Sequence, residues 1–234
     1  MIFNKVNYSL FFNQQCSLCQ LQPAEISGLC EDCHADLPWL LLGCPICGLP
    51  RSSPDQPCSL CQQKSFKFDR TEAPLEYRFP INSLLPGIKY QRRIQALGWL
   101  AELLVHHLQD RCETWPDLLI PVPMHPIDEA LRGFNQAELL AERLSRKLQI
   151  RCHSGQLRKV HRRAKQMTLH AAARRSNLKG AFSIHGELPK SVALIDDIMT
   201  TGATADEIAA LLKNQGASQV QVWVLARTPE PDRD

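Results

Sequence analysis

No long apolar run interrupts this sequence of 234 residues. The longest apolar patch near its start, residues 37–42, is far shorter than the roughly 20 residues a membrane-spanning helix needs. Residues 1–15 lack the cationic start, continuous apolar core and small-residue cleavage site of an export signal. A cytoplasmic chain with no membrane span is therefore expected, and with it reduced thiols rather than disulfides. Two phosphate-binding signatures are also missing. There is neither a Walker A loop with its lysine nor a G-x-G-x-x-G turn, which argues against an ordinary nucleotidase or dehydrogenase. Aromatic residues make up only 6%, and none forms a stripe across residues 150–180, so base stacking has little support there. Acids nearly vanish from residues 130–180, where Glu138 and Glu142 face about thirteen Lys and Arg. The net charge of +3 conceals that local excess, which is of the kind that seeks phosphate.

What is present begins with cysteine. Apolar content of 44% and charged content of 22% are globular values. Eight of the ten cysteines form four Cys-x-x-Cys pairs at a regular spacing of fourteen: Cys16 and Cys19, Cys30 and Cys33, Cys44 and Cys47, Cys58 and Cys61. Each pair can present two sulfurs to one metal, and two pairs complete a tetrahedral all-thiolate site. Two structural zinc ions are implied, with sequential and crossed pairing both open. Four thiolates leave no position for a substrate, and a single pair would suffice for redox work. The segment 1–66 is rich in Pro, Gly, Ser and Gln and too short for a self-sufficient core; zinc, worth roughly 10 to 16 kcal/mol apparent, would supply the missing stability. His34, beside Cys33, is read as an exposed neighbour.

A polar linker over residues 62–67 is expected to lead into an edge strand over 69–79, where Ala73, Leu75, Tyr77 and Phe79 alternate with more polar residues. Pro86 and Gly87 mark a break. Ile94, Leu97, Ala101, Leu104 and Leu108 then recur at helical spacing, leaving His106 and His107 at the surface. Residues 117–123 read as a buried strand halted by prolines. Asn135, three residues before Glu138, starts a helix with Ala137, Leu140, Ala141, Leu144 and Leu148 on one face. That places Arg132 at a helix N-terminus, where either phosphate docking or simple capping fits. No period organises residues 160–168, which read as a basic surface loop, either a solvated face or a flap over an anion.

Residues 192–204, Val-Ala-Leu-Ile-Asp-Asp-Ile-Met-Thr-Thr-Gly-Ala-Thr, read as strand, acidic tip, phosphate-cradling loop and helix start. Ile208, Leu211 and Leu212 share a face of the following helix, Gly216 suits its C-terminal cap, and residues 219–226 form one more strand. Strands alternating with helices predict a mostly parallel sheet flanked by helices, with ligands at the C-terminal edge of the strands. Asp196 and Asp197 can accept from hydroxyls or hold a divalent metal, while the loop offers N–H groups, hydroxyls and a helix dipole to a phosphate. A phosphorylated sugar satisfies both.

This stretch resembles the phosphoribosyl pyrophosphate (PRPP) signature of type I phosphoribosyltransferases. Together with the four cysteine pairs, Ile120-Pro-Val-Pro123, Arg132-Gly-Phe-Asn-Gln136, Gln166, Arg174, Asn177 and Gly180-Ala-Phe182, it is similar to the ComF family, nearest its GntX-type members. The resemblance covers nearly the whole chain. It implies a type I phosphoribosyltransferase-like domain over residues 67–234 behind a double zinc-ribbon module over 1–66. Asp196 and Asp197 would bind the ribose hydroxyls, and Thr200, Thr201, Gly202, Ala203 and Thr204 the 5-phosphate. The pyrophosphate loop would run through 122–125, with Val122 and Pro123, and the flexible hood through 162–166. Magnesium would bridge pyrophosphate and sugar hydroxyls. The implied reaction is transfer of the 5-phosphoribosyl group to an acceptor with release of pyrophosphate, resting on positioning and on neutralising the leaving group. His161, Lys165 and His170 are the side chains with general-base chemistry near the hood. The family is also linked to DNA uptake and use of external DNA. Two other readings follow: a non-catalytic single-stranded DNA-binding protein acting with DNA-uptake machinery, or a PRPP sensor.

Overall fold

Residues 191–199 and 219–227 carry dense apolar and β-branched sequence, and they form the two longest strands of the computed structural model, which describes residues 15–51, 56–91, 94–161 and 180–229. The chain divides into two units, Met1–Leu37 and Pro38–Asp234. In the first, the described residues form β-bridges between Gln15 and Pro23 and between Ile26 and Leu29, followed by helix α1 (Glu31–Ala35). The second runs α2 (Ser59–Gln63), β1 (Arg70–Glu72), β2 (Leu75–Glu76), α3 (Ile81–Gln91), α4 (Ala96–Arg111), β3 (Leu118–Pro121), α5 (Pro126–Arg132), α6 (Gln136–Leu148), β4 (Arg151–Cys152), β5 (Leu157–Lys159), β6 (Phe182–Ile184), β7 (Ser191–Met199), α7 (Ala203–Asn214) and β8 (Gln219–Arg227).

The main sheet is parallel throughout, ordered β1-β8-β7-β3-β4, with β2 also paired to β8. A parallel sheet must be covered on both faces, which is why β7 and β8 read as near-continuous apolar runs. Side-chain alternation divides their residues. Leu118, Ile120, Val192, Leu194, Val220, Val222 and Val224 share a core with Ile208 and Leu212 of α7 and with Cys44, Cys47 and Leu49. Helices α4 and α6 pack on the sheet as well, α6 against β7 and β3, through Ala137, Leu140, Ala141 and Leu144. A two-stranded antiparallel pair, β5 with β6, stands apart from the main sheet.

The structure departs from or adds to the sequence reading at three points. Pro86 does not break the chain but lies inside α3. An interior proline costs about 3 kcal/mol, whereas Ile81, Leu85 and Ile88 of the same helix are buried to 1% exposure or less, each contributing about 1.5–3 kcal/mol. Burial wins. The polar linker is not a free tether. Lys64 pairs with Asp206 at 2.9 Å, the Lys67 N–H donates to the same carboxylate at 2.7 Å, and Phe66 stacks on Phe68 with ring centroids 4.7 Å apart. The third is a helix, α5, that the prolines of residues 121–126 obscured. Pro126 begins it, where a missing N–H costs nothing, and Gly133 closes it at φ 89°. The edge strand, the α4 and α6 helices and the strand before Val122 stand as expected, the edge strand in two short pieces. Residues 162–179, with the proposed hood and with Gln166, Arg174 and Asn177, lie outside the described residues.

Candidate functional site

Strand β7 does not stop at its acids. Pairing with β8 continues through Asp196 opposite Val224 to Met199 opposite Arg227. The acidic tip expected at the strand's end is therefore part of the strand itself. Alternation then sends the neighbouring carboxylates to opposite sides.

Asp196 lies on the side of the phosphate-type loop. It lines a small cavity of about 50 Å³ with Val122, Ile198, Met199, Thr200, Thr201, Gly202, Ala203, Thr204 and Ala205. The loop turns through Gly202, whose φ of 73° is left-handed and suits glycine. A side chain there would also come within 2.7 Å of Met199 Cε and 3.4 Å of Phe66. Gly202 caps α7 with no side-chain hydrogen bond, while the Ala203 N–H donates to Thr201 Oγ1 at 3.3 Å. Helix amides, hydroxyls and a carboxylate thus meet at the C-terminal edge of the sheet, where open α/β folds bind ligands. Burial, reinforced by the charge of Asp197, pushes Asp196 well above the usual carboxylate range.

Asp197 faces the other way and is 4% exposed. Its Oδ2 takes an ion pair from Lys89 Nζ at 2.8 Å and a hydrogen bond from Gln136 Nε2 at 3.4 Å. Arg132 joins through Gln136, whose Oε1 accepts from Arg132 Nη1 at 2.6 Å. Burial alone would pull Lys89 down, but the Asp197 carboxylate outweighs it and holds the ammonium above its ordinary value. Asn135 caps α6 by accepting from the Ala137 N–H at 3.1 Å and donates to the Val122 carbonyl at 3.1 Å; the Val122 N–H in turn donates to Ile195 O at 2.9 Å. The segment after β3 is thereby pinned to both β7 and α6. Pro123 lines a larger neighbouring cavity of about 440 Å³ with His125, Asn135, Arg158 and Lys159.

The structure thus gathers Asp196, residues 200–204 and Val122 around one cavity, and ties Arg132 to Asp197 on the other side of the strand. His161 is exposed, and Lys165 and His170 lie outside the described residues. Two residues escaped the sequence reading. Lys89 is the one charged residue of α3, a signal that could have been followed. Arg227 ends a strand, where an arginine ordinarily reaches solvent. Here it is 1% exposed, donating from Nε to Cys47 O at 2.8 Å and from Nη1 to Met199 O at 3.1 Å, to Thr228 O at 2.6 Å and to Thr200 O.

The eight cysteines gather as Cys16, Cys19, Cys30, Cys33 and as Cys44, Cys47, Cys58, Cys61, the sulfurs of each group within 4.8 Å of one another. Tetrahedral sulfurs about 2.3 Å from a zinc ion stand roughly 3.8 Å apart. The Cys19–Cys30 and Cys44–Cys61 separations are both 3.8 Å, and Cys47–Cys58 is 3.4 Å. N–H groups of Leu18, Leu21, Cys33 and Cys58 point at sulfurs from 3.4 to 3.5 Å, which suits thiolates. Burial raises the Cys44 thiol, yet N–H groups of Cys47, Cys58 and Ile46 bring it down to about 7. Both groups could hold a metal, and the pairing they show is the sequential one.

The phosphoribosyl transferase domain family matches residues 135–234. The DNA utilization protein YhgH of Salmonella typhimurium is 37% identical over 222 residues, covering 91% of this chain and 96% of that protein. Competence protein F of Haemophilus influenzae is 35% identical over 227 residues, 93% and 98% of the respective chains. Competence protein ComFC of Streptococcus pneumoniae is 32% identical over 108 residues, 46% and 47%. Among the described residues no helix is long and apolar enough to cross a membrane.

Proposed function

This chain belongs to the ComF family of phosphoribosyltransferase-like proteins, and from that premise we propose that it binds PRPP at the β7–α7 edge as a cytoplasmic phosphoribosyltransferase. One observation carries the reading: Asp196, the Thr200–Thr201–Gly202 turn and the start of α7 line one cavity with Val122. The 5-phosphate would take the α7 amides and the Thr201 and Thr204 hydroxyls. The ribose hydroxyls would donate to Asp196 and Asp197, and the segment carrying Val122 and Pro123 would face the pyrophosphate. Magnesium, for which carboxylate-held sugar hydroxyls are suitable hard oxygen partners, would neutralise the pyrophosphate. Zinc would fill both cysteine groups. In functional terms, residues 1–66 hold metal and residues 67–234 hold the ligand.

The names of the relatives, a DNA utilization protein and a competence protein, favour a second, DNA-related reading, which we specify as a non-catalytic protein acting on single-stranded DNA. Calorimetric titration of PRPP with Mg²⁺ separates the two. The proposal expects saturable binding that Asp196→Asn weakens at least tenfold, and pyrophosphate release once ammonia or a suitable base is supplied. Failure to bind PRPP, with salt-dependent binding of a single-stranded oligonucleotide, would transfer the assignment to the second reading.

A further inference from the structure

We propose that Lys89 is a positioning residue of the ligand site, aiming Asp197 at the hydroxyl pair of a ribose 5-phosphate unit. The inference rests on the PRPP reading above and names the part of the ligand that this side of β7 would select.

The geometry is a convergence. Lys89 comes from α3, 108 positions away in sequence, and sets its Nζ 2.8 Å from Asp197 Oδ2 with the lysine side chain 23% exposed and the aspartate 6%. Gln136 approaches the same oxygen from α6 and is held in turn by Arg132 from α5. Three elements thus fix one carboxylate. An exposed Lys–Asp pair would be worth little, because two long side chains must be ordered in high dielectric. This pair is shielded, so losing the lysine leaves a buried carboxylate with a single weak donor.

Ligand chemistry follows from what a carboxylate–ammonium pair can exchange. A sugar hydroxyl donates a hydrogen bond, so a vicinal diol can donate to the carboxylate that Lys89 holds in place. A phosphate only accepts, and Asp197 repels it. The Lys89–Asp197 side of the strand therefore suits hydroxyls, while phosphate is left to the α7 amides on the Asp196 side. That division matches a ligand carrying both groups.

Binding of ribose 5-phosphate and of inorganic pyrophosphate, each with Mg²⁺, is measured for wild type, Lys89→Met, Lys89→Arg, Asp197→Asn and the Lys89→Met/Asp197→Asn double variant, with thermal midpoints as folding controls. Lys89→Met should weaken ribose 5-phosphate at least tenfold and change pyrophosphate less than twofold. Lys89→Arg should restore most of the loss, which a merely space-filling role would not predict. The double variant, which buries no orphaned carboxylate, should bind no worse than the weaker single variant. If Lys89→Met folds poorly, Lys89→Arg against the double variant gives the same comparison. Unchanged ribose 5-phosphate affinity in Lys89→Met overturns the assignment of Lys89 alone, as does an equal loss of pyrophosphate. A wild-type protein that binds neither PRPP nor ribose 5-phosphate overturns this inference together with the proposed function.

Discussion

Replacing Arg227 with methionine keeps much of the side-chain volume but removes the guanidinium donors from the junction between the second cysteine group and the phosphate-type loop. Four carbonyls lose a charged partner: Cys47, Met199, Thr200 and Thr228. They do not lose equally. Met199 O still accepts from the Thr228 N–H at 3.0 Å, and Thr200 is exposed enough to reach water. The full penalty of an unpaired buried acceptor, about 1–3 kcal/mol, falls on Cys47 O, with part of it on the other three. Against this stands the relief of no longer burying a guanidinium, whose desolvation pulls Arg227 below its ordinary value. The balance is a loss of about 3 kcal/mol, within the range for breaking a buried network. With a urea slope of about 3 kcal/mol per molar for a chain of this size, the midpoint should fall by about 1 M. Zinc content should remain at the wild-type level, while PRPP affinity falls at least tenfold because Thr200 is no longer held. Urea unfolding followed by circular dichroism, beside a PRPP titration, reads both. A midpoint within about 0.3 M of wild type and unaltered affinity would refute the idea that this guanidinium holds the loop.

Two other outcomes follow. Cys44→Ser should lose one zinc and weaken PRPP binding, because Cys44 and Cys47 share a core with Val192 and Val224; Cys16→Ser should lose the other zinc with PRPP affinity kept, as read by metal analysis and titration. The second is a pH dependence. Asp196, ordinarily near 3.8, is pushed up to about 8 by burial and by its neighbour. The folded protein then holds this proton more tightly than the unfolded chain, so its contribution is complete below about pH 3.8 and lost as pH rises through about 8. In ligand-free protein the thermal midpoint should fall across that window relative to Asp196→Asn, and parallel curves would contradict the burial of the acid.

The parts legible in the sequence were those with a period or a fixed spacing. Cys-x-x-Cys at fourteen-residue intervals announced the two four-cysteine groups, the apolar stripes of α4 and α6 announced the helices, and residues 192–204 announced a strand followed by a turn into a helix. What stayed hidden depends on contacts remote in sequence. The linker looked polar because Lys64 and Lys67 dominate it, yet Asp206, more than 130 positions on, holds it down. Pro86 reads as a breaker until the burial of Ile81, Leu85 and Ile88 is known. Arg227 and Lys89 are single charges whose partners no local pattern announces.

The pairing of β7 past both acids has a consequence for how such a site can change. Because Asp196, Ile198 and Met199 are all in register with β8, the carboxylates sit on backbone held by the ladder to that strand. Slipping the strand by one residue would exchange the faces of the two acids and turn its apolar set out of the core together. The acids are thus fixed hardware. Within this fold, a change in what the cavity holds has to be made in the turn at residues 200–202, in the segment after β3 or in the helices that face the strand, since those can vary without re-laying the sheet.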